Sequence, residues 1–169
     1  MYRVAICAIF VALCLASFPI LAEDIAGPHV CVGVLEGAGG RISGTVARDT
    51  LIKYLNKQKK PQLTAVPLVS FLPNEALTEA KQKACEYVVT TNLVETHTES
   101  AYPPGVNPNA ASVPNFFVTT SYKLNKVSDG AEVSSGSFKA QDTGSIQNAI
   151  GFTLNKMAAK VDGAIKGAK

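Results

Sequence analysis

No tryptophan occurs in the 169 residues, histidine and methionine occur twice each, and charged side chains make up only 17% of the chain. Two histidines, His29 and His97, leave little material for general-base catalysis or for a histidine-built metal centre. The charge is small and mixed: 16 basic residues against 13 acidic ones give +3, which argues against nucleic acid as the main partner. The one dense basic stretch, "KYLNKQKK" from Lys53 to Lys60, reads as a solvated helix end, where lysines suit the macrodipole. There are four cysteines, two of them in the apolar amino-terminal stretch, and the other two make a far weaker signature than a framework of six.

Catalytic signatures are also missing. In "GAGGRISGT" the glycines Gly39 and Gly44 have phosphate-loop spacing, but Thr45 and Val46 stand where lysine and a hydroxyl residue belong, and Ile42 replaces the third glycine of a dinucleotide fingerprint. There is no G-x-S-x-G elbow, and the "SSGSF" glycine lies within an expected strand rather than on a strand-to-helix turn. Glu95, His97 and Glu99 fall on one face of a strand, yet neighbours two apart are about 6.6 Å apart along it, so the three do not converge on one ion. No metal or cofactor is expected, and a hydrolase remains only as a site scattered through the fold.

What is present begins with "MYRVAICAIFVALCLASFPILAED": Arg3 in a positive n-region, an apolar run from Val4 to Ile20, and small Ala22 before the first acids. This order predicts a signal peptide over residues 1–22 and a single α/β domain over 23–169, in the periplasm or secreted, with no membrane attachment after cleavage. The alternative is an uncleaved anchor, since the run approaches the roughly 17 to 25 residues that span a bilayer. Cleavage removes Arg3 alone among the charged residues, leaving +2, and takes away Cys7 and Cys14. Cys31 and Cys85 then remain in an oxidising compartment, as a disulfide or as two buried thiols.

Further along, "HVCVGVLEGAGG" predicts a buried first strand ending in a glycine loop, and "SGTVARDTLIKYLNKQKKP" a helix with Ala47, Leu51, Tyr54, Leu55 and Gln58 on its periodic face, stopped by Pro61. "QLTAVPLVSF" predicts a second strand whose Pro67 fits a sheet edge. "LPNEALTEAKQKACE" predicts a helix with Pro73 in its first turn and Asn74 as its cap, and "EYVVTTNLVETH" a third strand. Residues 98–115 hold four prolines and no periodicity, which predicts a long loop. "FFVTTSYKLNKV" and "AEVSSGSFKA" predict two strands joined at Asp129-Gly130, a pair suited to the positive φ of a tight hairpin. Ser145 caps a last helix with Ile146, Ile150, Leu154, Met157, Val161 and Ile165 on one stripe. The order is βαβαβββα. Right-handed crossovers then give a five-stranded mixed sheet of order 2-1-3-4-5 with three helices. In that order Cys31 and Cys85 lie at the starts of neighbouring parallel strands, which predicts a bridge between them.

The element order, with "ACEYVVTTNLVE" followed by "YKLNKVSDGAEVSSGSF", resembles bacterial envelope proteins of the curli-export and penicillin-binding-protein-activator kind and the amino-terminal domain of TolB-like periplasmic proteins. The likeness spans roughly residues 30–165. It departs at the first strand, where "VGVLEG" stands in place of "VAVLPF", so functions tied to that loop do not carry over. The resemblance implies a non-enzymatic binding module whose partner is another envelope protein, and it brings no catalytic residues; the oligomeric state stays open. The expected partner surface is the loop 98–115, with Tyr102, Pro103, Pro104 and Val106, together with the outer hairpin edge at Val133 and Ser135. The alternative is a small-ligand or anion-binding protein using the amides of Gly37, Gly39, Gly40 and Gly44.

Overall fold

The computed structural model of the chain describes residues 27–40, 42–58, 63–101 and 112–168. The expected signal segment 1–22 and the expected anchors Tyr102, Pro103, Pro104 and Val106 lie outside them. The elements are β1 (His29–Val32), α1 (Gly44–Leu55), β2 (Thr64–Pro67), α2 (Pro73–Gln82), β3 (Tyr87–Ala101), β4 (Val113–Lys126), β5 (Glu132–Asp142) and α3 (Ile146–Gly167). All five strands form one sheet in the order β2-β1-β3-β4-β5. β1 is parallel to β2 and β3, and the β3–β4 and β4–β5 ladders are antiparallel. This is the α/β architecture and strand order expected from the sequence.

Alternation along β1 divides the interior. Val30 and Val32 face the side covered by α1 and α3, where Leu51, Leu55, Leu154, Met157, Val161 and Ile165 close over Val89, Val118 and Leu124. Cys31 faces the other side, where among the described residues α2 alone packs with Leu68, Cys85, Val88 and Val127. The buried residues of α2 are Ala76 and Ala80, so this second core is thin. Cys31 and Cys85 are bonded across it with Cα atoms 5.8 Å apart. Ser145 caps α3 by accepting from the Asn148 amide, and five of the six expected stripe residues are buried, Ile146 being half-buried.

Several local expectations are corrected. The loop read over 98–115 is shorter, because Thr98 through Ala101 pair with Phe116 through Val113. β5 ends opposite Phe116, so Pro114 sits where β4 has become an edge, and its missing donor breaks no ladder bond there. Asn74 does not cap α2: Leu72 occupies the cap without a side-chain bond, and Pro73 starts the helix because its fixed φ suits the first position. α1 ends at Leu55, since the Asn56 side chain turns to the backbone of Ala65 and ties the helix end to β2. The β4–β5 turn is wider than a two-residue hairpin. Lys126 and Ala131 flank it, the Gly130 amide returns to the Lys126 carbonyl, and of the Asp129-Gly130 pair only Gly130 has positive φ, at 75°.

α2 ends in a Schellman arrangement: the Ala84 amide donates to the Lys81 carbonyl and the Cys85 amide to the Ala80 carbonyl, with Ala84 at φ 52°. That left-handed position favours glycine and costs alanine about 1 kcal/mol. Ala84→Gly should therefore raise the unfolding free energy by about 1 kcal/mol, measured by urea titration; an unchanged or lower midpoint would refute it.

Candidate functional site

β1 and β2 are four residues each, whereas β3 has 15 and β4 has 14. The β1 side of β3 is occupied only as far as Leu93, through the register with β1, the Glu36–Asn92 bridge and the Leu93 amide bonded to Glu36. A register shift at Val94 marks the departure point. From Glu95 to Ala101, about 20 Å of strand, β3 has β4 on one side and no strand on the other among the described residues. Residues 94–100 are exposed on both faces, so β3 and the start of β4 form a projecting arm.

On one face of the arm His97 stacks on Phe117, with ring centroids 4.6 Å apart, and Glu95 and Glu99 approach Nδ1 and Nε2 at 3.4 Å each. The two carboxylates sit on opposite sides of the imidazole and cannot share an ion with it. Among the described residues no three His, Cys, Asp or Glu side chains group as metal ligands.

The second exposed edge is β5, which among the described residues pairs with β4 alone. Of its two expected partner contacts, Ser135 is exposed and donates to Glu132 at 2.6 Å, while Val133 is half-buried and packs against the larger core. Beside this edge runs a groove of about 680 Å³ lined by Ser134 and Phe138 of β5 and by Lys156, Ala159, Lys160, Gly163 and Ala164 of α3.

Two positions of the glycine loop are set by packing. A Cβ on Gly44 would lie 2.7 Å from the Leu35 carbonyl oxygen, and one on Gly37 would lie 3.0 Å from that of Leu93, so both positions are places of close backbone approach. Around these glycines Glu36 donates to the Thr91 carbonyl, Ile42 to the Gly39 carbonyl, and Val46 to the Ser43 hydroxyl. Gly39 and Gly40 face open space.

One surface was not read from the sequence. After β2, Val69, Phe71 and Leu72 are 80%, 47% and 41% exposed. The loop carrying them is held by Glu79, whose carboxylate accepts from the Val69 and Ser70 amides and the Ser70 hydroxyl and pairs with Lys83 at 3.1 Å. Arg48 donates to the Leu68 carbonyl and the Val34 amide to that of Ser70. The available signal was the apolar run continuing past Pro67, which passed for the end of a strand.

Among the described residues no helix is long and apolar enough to cross a membrane. No family model matches the chain, and no curated protein does. Solved structures do. A PelC dodecamer from Paraburkholderia phytofirmans matches with a TM-score of 0.53 and 17% identity over 78% of this chain and 84% of that one. The hypothetical protein CT253 from Chlamydia trachomatis matches with a TM-score of 0.51 and 12% identity over 84% and 97%. TolB from Acinetobacter baumannii matches with a TM-score of 0.45 and 16% identity over 86% of this chain and 28% of its own length. What the chain shares with the PelC and CT253 structures is the fold.

Proposed function

We propose that the chain is a non-enzymatic, protein-binding module of the bacterial envelope, exported to the periplasm or beyond, and that it holds its partner with the β3–β4 arm, the connection between Ala101 and Val113, and the outer edge of β5. The observation that carries this reading is the arm: a hydrogen-bonded ribbon exposed on both faces and, among the described residues, unpaired along one edge from Glu95. An exposed strand edge is costly to keep in solution unless it is guarded or used, and strand addition is a common way to recognise another chain. The Cys31–Cys85 bridge supports an oxidising compartment. His97, the histidine on this surface, is engaged by Glu95, Glu99 and Phe117 rather than by a nucleophile.

Joining Ala101 to Val113 by a tight turn should leave the circular dichroism spectrum nearly unchanged and abolish crosslinks from photoreactive residues placed at Thr98 to envelope proteins. Persisting crosslinks in the folded shortened variant would overturn the loop's part. A Ser135→Pro variant that folds and still binds would overturn the part given to the β5 edge.

A further inference from the structure

Resting on the reading of the chain as a protein-binding module, we infer that the partner at its strand edges is a second copy of the same chain, joined head to tail: the arm of one copy lies along the β5 edge and the α3 groove of the next. The two surfaces are complementary in charge. From Asn92 to Ala101 and from Ser112 to Ser121 the arm has no lysine or arginine, and its charged groups are Glu95 and Glu99 beside His97. The β5 edge presents exposed Lys139, and Lys156 and Lys160 stand over the adjoining groove. The acids on β5, Glu132 and Asp142, are its first and last residues, so they stand at the two ends of the edge, where Ser135 and the Gly144 and Ser145 amides hold them.

Charge also selects the geometry. Arm against arm sets Glu95 and Glu99 against their own copies, and edge against edge does the same for the three lysines; like charges brought together oppose association, whereas arm against edge pairs opposite signs. The remaining edge, β2, is four residues long and contains Pro67, which blunts it. The groove floor of Phe138, Ala159, Gly163 and Ala164 suits the exposed apolar side chains of the arm, Val94 and Val113. Because the two surfaces differ, the contact is heterologous and propagates into a closed ring or an open filament.

Sedimentation velocity of the purified exported chain tests this. Wild type should sediment as a species larger than a monomer at low salt and shift toward monomer at high salt. The arm variant Glu95→Lys/Glu99→Lys and the edge variant Lys139→Glu/Lys156→Glu/Lys160→Glu should each associate about tenfold more weakly or worse. An equimolar mixture of the two should regain the large species, because each arm then meets an edge of opposite sign. Circular dichroism checks that both variants fold. Overturning results are a monomeric wild type at every concentration, unchanged size in the charge-reversed variants, or a mixture that stays monomeric. A monomeric chain whose arm still crosslinks to a different envelope protein refutes self-association and leaves the binding-module reading standing; a monomeric chain with no crosslink from arm or edge refutes both.

Discussion

Replacing Cys31 and Cys85 together by alanine should lower the unfolding free energy by about 4 kcal/mol, the value expected in the chain-entropy account for a bridge closing a loop of this length. The two residues are 54 apart in sequence. Burial offers little to offset the loss, because α2 meets the sheet through Ala76 and Ala80, and Leu68, Val88 and Val127 complete a small apolar cluster around the sulfurs. The larger core on the opposite face does not involve the bridge. The reduced or substituted protein should therefore loosen first at α2 and the turn leading into β3, seen as early hydrogen exchange over residues 73–86. Equal stability of the oxidised and substituted forms in guanidinium titrations would refute the estimate, and uniform exchange would refute the localisation.

Glu79→Ala should cost about 2 kcal/mol, within the range for hydrogen bonds made to a charged group, since the carboxylate is half-buried. Desolvation raises the Glu79 carboxyl pKa, but the Ser70 and Val69 amides, the Ser70 hydroxyl and Lys83 outweigh it and bring the value from 4.5 down to about 2. A carboxylate with a depressed folded-state pKa stabilises fully above its unfolded value. That contribution is lost as the pH falls from about 4.5 through about 2, where the folded protein must also take up the proton. Wild type should accordingly lose stability over this acid range, and Glu79→Gln should flatten that part of the profile. A wild-type curve flat between about pH 5 and about pH 2, or a Gln variant with the same slope, would contradict the assignment. The loss should also free the loop bearing Val69, Phe71 and Leu72, since the same carboxylate holds its backbone.

The elements that could be read directly from the chain are those whose evidence is local and periodic. The stripe from Ile146 to Ile165 with Ser145 before it, the alternation through Val118, Thr120, Tyr122 and Leu124, and the β-α-β spacing each follow from side chains a few residues apart, and chain handedness then leaves one strand order. The Cys31–Cys85 pairing followed from that order, because the starts of adjacent parallel strands share an end of the sheet.

What only the tertiary structure decided depends on partners distant in sequence. Thr98 to Ala101 look like loop by composition; they become strand because residues 113–116 lie alongside and pair with their backbone groups. Asn74 is a good cap in isolation, but Pro73 fixes the start one residue earlier. Gly37 and Gly44 look like ordinary loop glycines by composition; only the Leu93 and Leu35 carbonyls placed against them show why no side chain fits there. Val69, Phe71 and Leu72 would ordinarily be buried, and they are exposed because Glu79, Arg48 and Val34 hold the loop backbone from other elements of the fold. Periodicity reports which face a residue takes; whether a neighbour covers that face is settled only when the chain closes on itself.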